Sequence, residues 1–258
     1  MSIANVQSNS TKASEEDVLI RLRNMAIRTD ERFLVKNVNV DVFKKQVTAL
    51  CGPSGSGKSL TARAIMGVLD VLPGLVEGEM YYPGLSGGQS QKDWFLPVKK
   101  GGEIAQKRLL KETMPLRGSY FTYSPQSASS ALNPGRTIGS QLEMAISRRA
   151  KPPSSLSVEI RRILAEVGLR PSVSSSLPSE LSGGMCQRAA LAIAVAPQPK
   201  VVIADEPETG LDPVLRRGVI ELLIRVTHQN GAGLLLISHH EDTVTRIADH
   251  VVRLNPED

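Results

Sequence analysis

Between residues 18 and 50 apolar and polar positions alternate, as in Val38-Asn39-Val40-Asp41-Val42, and this period of two predicts strands. The pattern then changes. Val47-Thr48-Ala49-Leu50 is a short unbroken apolar run of the buried-strand type, and Leu60 to Leu69 carries an apolar stripe at helical spacing. Residues 83–118 hold several glycines and prolines and the only tryptophan, Trp94, and read as a long surface excursion. Residues 134–170 read as helical, interrupted by Lys151-Pro152-Pro153, and 171–180 as a Pro/Ser-rich connector. An alanine-rich helix is predicted over 181–196. Val201-Val202-Ile203-Ala204 is a second buried strand, Val214 to Thr227 a helix stopped by Asn230-Gly231, and Gly233 to Ile237 a third buried strand. Short buried strands alternating with amphipathic helices indicate an α/β fold with a parallel core.

Composition narrows this only a little. The chain has 258 residues, enough for one large domain or two small ones, and its 41% hydrophobic content suffices for a sizeable core. The polar stretch 1–17 is expected to be a mobile tail ahead of a domain over 18–258. A net charge of +5 is compatible with a nucleotide or an anionic membrane surface, but it is spread out, so nucleic acid is not the expected partner. Cys51 and Cys186 stand in no metal-ligand spacing, which fits a reduced, cytosolic protein, and Cys51 is expected to pack rather than react. The opening residues are too polar for a signal peptide, and no run of about 18 apolar residues occurs, so membrane association is expected through a partner.

The most specific chemistry follows the first buried strand. Gly52-Pro53-Ser54-Gly55-Ser56-Gly57-Lys58-Ser59 fits G-x-x-x-x-G-K-[ST] at every fixed position, and Leu60 continues into the predicted helix. Glycines let backbone N–H groups turn toward an anion, and the helix that follows presents its positive end. Lys58 can reach the β- and γ-phosphates of a nucleotide, and Ser59 can place its hydroxyl on Mg²⁺. Asp205-Glu206 ends the strand 201–204, where ligands of such sheets gather. There Asp205 suits Mg²⁺ and Glu206 suits a water-polarising base. Leu181-Ser182-Gly183-Gly184-Met185 is a second anion cradle: Ser182 is a natural N-cap, and the glycines bare N–H groups at a helix start. Two cradles are excessive for one nucleotide. They make sense if the second closes over a nucleotide held by another subunit.

Together these pieces resemble the ATP-binding subunit of an ABC transporter, over about residues 18 to 254 and in family order. The phosphate loop comes first. Gln126 in Ser124-Pro125-Gln126 matches the Q-loop glutamine, 181–185 the signature with Met185 where Gln is usual, and Val201 to Glu206 the Walker B strand. Thr209-Gly210-Leu211-Asp212 looks like the D-loop, and His239, directly after Ser238, matches the switch histidine better than His240. The resemblance implies a P-loop NTPase: a RecA-like core with a parallel sheet, an N-terminal antiparallel β subdomain, and an inserted helical signature subdomain at roughly 127–188. It implies Mg-ATP hydrolysis, with Glu206, His239 and Gln126 catalytic. Residues 52–60 hold ATP, Ser182, Gly183 and Gly184 contact a partner's ATP, Asp212 serves the D-loop, and Ser59, Gln126 and Asp205 attend the metal. The implied partners are a second ABC ATPase in a heterodimer, two integral membrane permeases and an extracytoplasmic binding protein. The implied location is peripheral, on the cytoplasmic face of the bacterial inner membrane.

Within the family, Gln126 to Pro134, running on to Leu132-Asn133-Pro134, is similar to the Q-loop of nickel and peptide importers. Met185 is similar to the nickel-type signature, and the chain ends at Asp258 without the cysteine-bearing extension usual in peptide members, so nickel or a metal chelate is expected ahead of a small peptide. Glu208 departs from the usual Thr or Ser. Phe33 is a candidate for stacking on adenine or, equally, a core aromatic. Leu85-Ser86-Gly87-Gly88-Gln89 spells the signature more faithfully than 181–185, but it precedes Gln126 and no Gln-Arg helix follows; it reads as a chance match in a surface loop. A soluble ABC ATPase acting on DNA or ribosomes would carry coiled coils or tandem cassettes. A P-loop kinase or GTPase would leave 181–188 and Ser238-His239 unexplained.

Overall fold

A computed structural model describes residues 7–8, 14–99, 102–126, 128–209 and 213–255. The strands are β1 (Gln7–Ser8), β2 (Val18–Thr29), β3 (Phe33–Phe43), β4 (Val47–Cys51), β5 (Pro73–Tyr81), β6 (Phe121–Ser124), β7 (Val201–Asp205), β8 (Gly233–Ser238) and β9 (His250–Arg253). The helices are α1 (Lys58–Ile65), α2 (Gly102–Thr113), α3 (Ala128–Ala131), α4 (Ile138–Ile146), α5 (Leu156–Glu166), α6 (Gly183–Val195), α7 (Pro213–Gln229) and α8 (Glu241–Ile247). The chain divides into two compact units, 1–117 with 233–258, and 118–232.

The first unit contains two sheets of different character. In the antiparallel sheet β3-β2-β5, the alternating sequence lets one face bury Ile20, Leu22, Val38, Val40 and Met80. In the other, β4 lies parallel between β8 and β9, and β1 is antiparallel to β9. Every residue of β4 and β8 is buried, as continuous apolar runs require when both faces of a strand are covered. Cys51 is fully buried in β4, in keeping with a packing role. Within the expected tail, Gln7–Ser8 pair with Val251 and His250, and Glu15–Asp17 form one 3-10 turn.

Residues 83–118, expected as a surface excursion, are anchored instead. A 3-10 turn at Gly87–Gln91 is followed by α2, which the sequence reading missed. Trp94 and Phe95 are buried, with the Trp94 ring edge-on to Tyr82 at 5.2 Å. Asp93 Oδ1 accepts from the backbone N–H of Met80 at 3.1 Å. Aromatic burial outweighed the glycines and prolines that made this stretch look like loop.

The second unit pairs β6 and β7 in parallel and gathers α3 to α7. The alanines of α6 let it pack closely: Ala189, Ala190, Ala192 and Ala194 are all buried. The Pro/Ser connector holds two 3-10 turns, Pro171–Ser175 and Pro178–Glu180. Arg149 donates to Glu159 at 2.6 Å and to the carbonyl of Ala196 at 2.6 Å, tying the end of α6 to α5. Among the described residues, no helix is long and apolar enough to cross a membrane.

Candidate functional site

The loop between β4 and α1 is built as its glycines require. Gly52, Gly55 and Gly57 have φ of 146°, 83° and 89°, values that L side chains rarely adopt. A Cβ on Gly52 would lie 2.3 Å from the carbonyl oxygen of Leu254, and one on Gly57 would lie 2.4 Å from Val35 Cγ2. No side chain caps the start of α1 at Gly57. The first N–H groups of that helix are therefore left to other acceptors. Pro53, Ser54, Gly55 and Ser59 are exposed, Leu60 is half-buried, and Ser56 and Lys58 are buried at the floor. Lys58 Nζ donates to the carbonyls of Gly52 at 2.8 Å and Pro53 at 2.9 Å, which draws the ammonium across the loop. The Ser56 hydroxyl is buried and has no hydrogen-bond partner. A buried cation, an unpartnered hydroxyl and uncapped N–H groups fit a phosphate chain.

His239 belongs to the same unit. Parallel pairing aligns Cys51 of β4 with Ser238 of β8, so Gly52 and His239 leave adjacent strands at their carboxyl ends. His239 is exposed and its ring lies 4.0 Å from that of His240. His240 turns back, its N–H donating to Ser238 Oγ at 3.0 Å. Phe33 is 42% exposed, which removes the core-aromatic alternative. Its ring carries Lys36 Nζ at 4.7 Å and Arg28 at 5.6 Å.

In the second unit, the register of β6 against β7 aligns Ser124 with Ala204 and so brings Gln126 beside the two acids. Gln126 Nε2 donates to Glu206 Oε2 at 3.0 Å and lies 3.4 Å from Thr209 Oγ1. Thr209 Oγ1 donates to the same carboxylate oxygen at 3.1 Å. Glu206 has a φ of 45°, a left-handed conformation that turns the chain sharply off the strand end. Asp205 is buried and accepts from Tyr123 OH at 2.7 Å. Tyr123 was not singled out from the sequence, and Thr209 entered only as the first residue of the D-loop string. Tyr123 has no motif to mark it, and its role depends on strand register alone. Glu208 is fully buried.

Ser182 caps α6, its hydroxyl accepting from the N–H of Met185 at 3.3 Å. Ser182, Gly183 and Gly184 are exposed, and a Cβ on either glycine would meet nothing within 4 Å. Neither backbone nor packing in this chain demands glycine there, so the small residues suit close approach by something outside it. Gln187, one turn on, donates to the carbonyl of Pro207. Asp212 lies outside the described residues.

The chain is similar to several known proteins. The family model described as ABC transporter matches residues 35–209. The glutathione import ATP-binding protein GsiA of Escherichia coli K12 is 30% identical over 237 residues, 89% of this chain and 36% of that protein. The dipeptide transport ATP-binding protein DppD of the same strain is 33% identical over 224 residues, covering 84% and 62%. The oligopeptide transport ATP-binding protein OppD of Lactococcus lactis is 31% identical, covering 84% and 60%. The chain thus spans between about a third and three fifths of the length of these relatives. Among solved structures, cbiO1 of Clostridium perfringens, part of the transporter complex cbiONQ, has a TM-score of 0.71 at 19% identity, with 93% of this chain and 86% of that one covered. The dimeric cassette MJ0796 has a TM-score of 0.68 at 22% identity, covering 92% and 94%, and shares the fold. With this family match, the phosphate loop and the acid pair at the end of β7, the chain belongs to the ABC transporter family.

Proposed function

We propose that this chain binds and hydrolyses Mg-ATP to drive an importer whose membrane path lies in separate subunits. The observation that carries this is Glu206, held at the end of β7 by Gln126 and Thr209, so that a carboxylate is oriented where ligands of such sheets collect. In this reading residues 52–60 hold the phosphates, with Lys58 and the first N–H groups of α1 offsetting their charge. Ser59, Gln126 and Asp205 attend Mg²⁺, which when bound would neutralise charge developing on the phosphates. Tyr123 fixes the Asp205 carboxylate through its hydrogen bond. Glu206 accepts the proton of the attacking water, and His239 contacts the terminal phosphate. Ser182, Gly183 and Gly184 serve an ATP held by a second ATPase subunit, with Asp212 in the D-loop.

The names of GsiA, DppD and OppD favour a small peptide as cargo. Met185 favours nickel or a metal chelate as the second reading. Two permease subunits and an extracytoplasmic binding protein complete the assembly, with this chain peripheral on the cytoplasmic face of a bacterial inner membrane. Glu206→Gln tests the core of the proposal. It keeps the shape of the side chain and leaves Asp205 intact, so ATP should still bind while turnover of the assembled complex falls by about 10²-fold or more. Near-normal hydrolysis would remove Glu206 from its role.

A further inference from the structure

Residues 83–118 carry seven Lys/Arg against three Asp/Glu, a net +4 out of the whole chain's +5. The inner side of this segment is fastened down. Trp94, Phe95 and Leu109 are buried, Gln106 Nε2 donates to the carbonyl of Pro73 at 2.6 Å, and Thr113 Oγ1 to that of Leu109 at 2.8 Å. The outer side is therefore held in place, and it is unusual. Ile104 is 83% exposed and Met114, at the end of α2, is 59% exposed, with Leu110 also exposed. At about 100° per residue, Lys107, Arg108 and Lys111 interleave with Ile104 and Leu110 on one face of the helix, and Met114 follows in the 3-10 turn that begins where α2 ends. Lys107 and Arg108 do pair with Glu103 and Glu112, but as exposed i,i+4 contacts, which hold their charges weakly.

We propose that this face of α2 rests on the headgroup region of an anionic lipid bilayer. Projecting aliphatic chains set among long, flexible cations on a convex helix match a fluid anionic interface: the apolar groups insert at the acyl boundary while the cations meet lipid phosphates. The charge complementarity is local: α2 carries Lys107, Arg108 and Lys111 against Glu103 and Glu112, within a segment that is basic as a whole. The proposal is independent of the ATPase reading, since none of these residues belongs to the nucleotide site.

Co-sedimentation of the full chain with vesicles tests it. Retention is expected on phosphatidylcholine vesicles containing phosphatidylserine and not on phosphatidylcholine alone, and should fall as salt is raised. Lys107→Glu with Lys111→Glu should weaken retention at least tenfold, and Lys107→Gln with Lys111→Gln should weaken it by less. Ile104→Ser with Met114→Ser should weaken it several-fold. Fluorescence of the buried Trp94 and ATP binding should be unchanged in all three, showing that the segment is still folded. Absence of retention, equal retention on both vesicles, or retention indifferent to the substitutions would overturn the assignment. So would a dimer of the chain, without vesicle binding, that dissociates on Ile104→Ser with Met114→Ser, since the face would then be a self-contact.

Discussion

The chain contains the string Leu-Ser-Gly-Gly twice, at 85–88 and at 181–184, and the two copies differ in everything except spelling. At 181–184 the serine caps a helix of 13 residues, with its hydroxyl on the N–H of Met185. At 85–88 the serine precedes a 3-10 turn of 5 residues and makes no side-chain capping bond. The first arrangement aligns peptide dipoles over several turns behind exposed N–H groups, whereas the second has almost no helix behind it. An anion cradle therefore depends on the helix that follows the glycines, and the better-spelled copy lacks one.

The contrast is broken or upheld most directly by placing a carboxylate in each copy. Gly184→Asp puts negative charge where a partner's phosphate would approach, and transport by the assembled complex should fall by about 10²-fold or more. Gly88→Asp, whose Cβ meets nothing within 4 Å, should leave transport near normal. The reverse pattern in a transport assay would mean that the wrong copy had been assigned.

A smaller effect concerns what stiffens each region. In the unit that holds the second copy, at the far end of α6 from Ser182, Glu159 is held at a pKa of about 2, first by its hydrogen bond from Arg162 and then by Arg149, against the cost of burial. Near the first copy, Glu112 is lowered by its hydrogen bonds from Lys92 and Arg108. Both carboxylates have folded pKa values below their unfolded ones, so each stabilises the fold above about pH 4.5 and loses that contribution as pH falls through the folded value. For Glu159 the loss runs from about pH 4.5 down to about 2. Glu159→Ala should cost about 3 kcal/mol at neutral pH, because it strands Arg149, whose side chain is only 6% exposed. Glu112→Ala should cost about 1 kcal/mol or less. Urea unfolding at pH 7 and pH 3 checks both, and the gap between wild type and Glu159→Ala should narrow at the lower pH.

Nucleotide binding sharpens the comparison further. Lys58→Ala should weaken ATP binding by the isolated chain about tenfold, because the phosphates lose their main cation. Ser182→Ala should leave that binding intact and impair only hydrolysis by the complex. Equal loss of monomer affinity in the two variants, measured by calorimetry, would rule out a shared site. The smallest difference is local: Ser182→Ala should cost about 1 kcal/mol of stability through loss of the cap, and Ser86→Ala close to nothing.

Much of this site could be read directly because its signals are local. The phosphate loop needs only eight consecutive residues between a strand and a helix, and the cap at Ser182 only four. The strands of the parallel core announced themselves by unbroken apolar runs, which arise whenever both faces are covered. Residues 83–118 misled because glycine and proline weigh heavily in a local reading. The burial of Trp94 and Phe95 comes from contacts with residues such as Tyr82, which composition does not rank. Phe33, open to either reading in the sequence, resolved as exposed only once β3 had a defined outer face.

The sequence by itself determined which residues could do the chemistry: a lysine and glycines for phosphate, adjacent acids at a strand end, and a glutamine and a histidine each following a strand. Each rests on side-chain identity and on structure formed within a few residues. The tertiary structure alone decided which of them meet. Gln126 reaches Glu206 across 80 residues, and Tyr123 reaches Asp205 across 82, because β6 and β7 pair in parallel with Ser124 opposite Ala204. Side chains alternate faces along a strand, so a shift of one residue in that register would turn Tyr123 away from Asp205, and it would carry Gln126, just past the end of β6, out of step with Glu206.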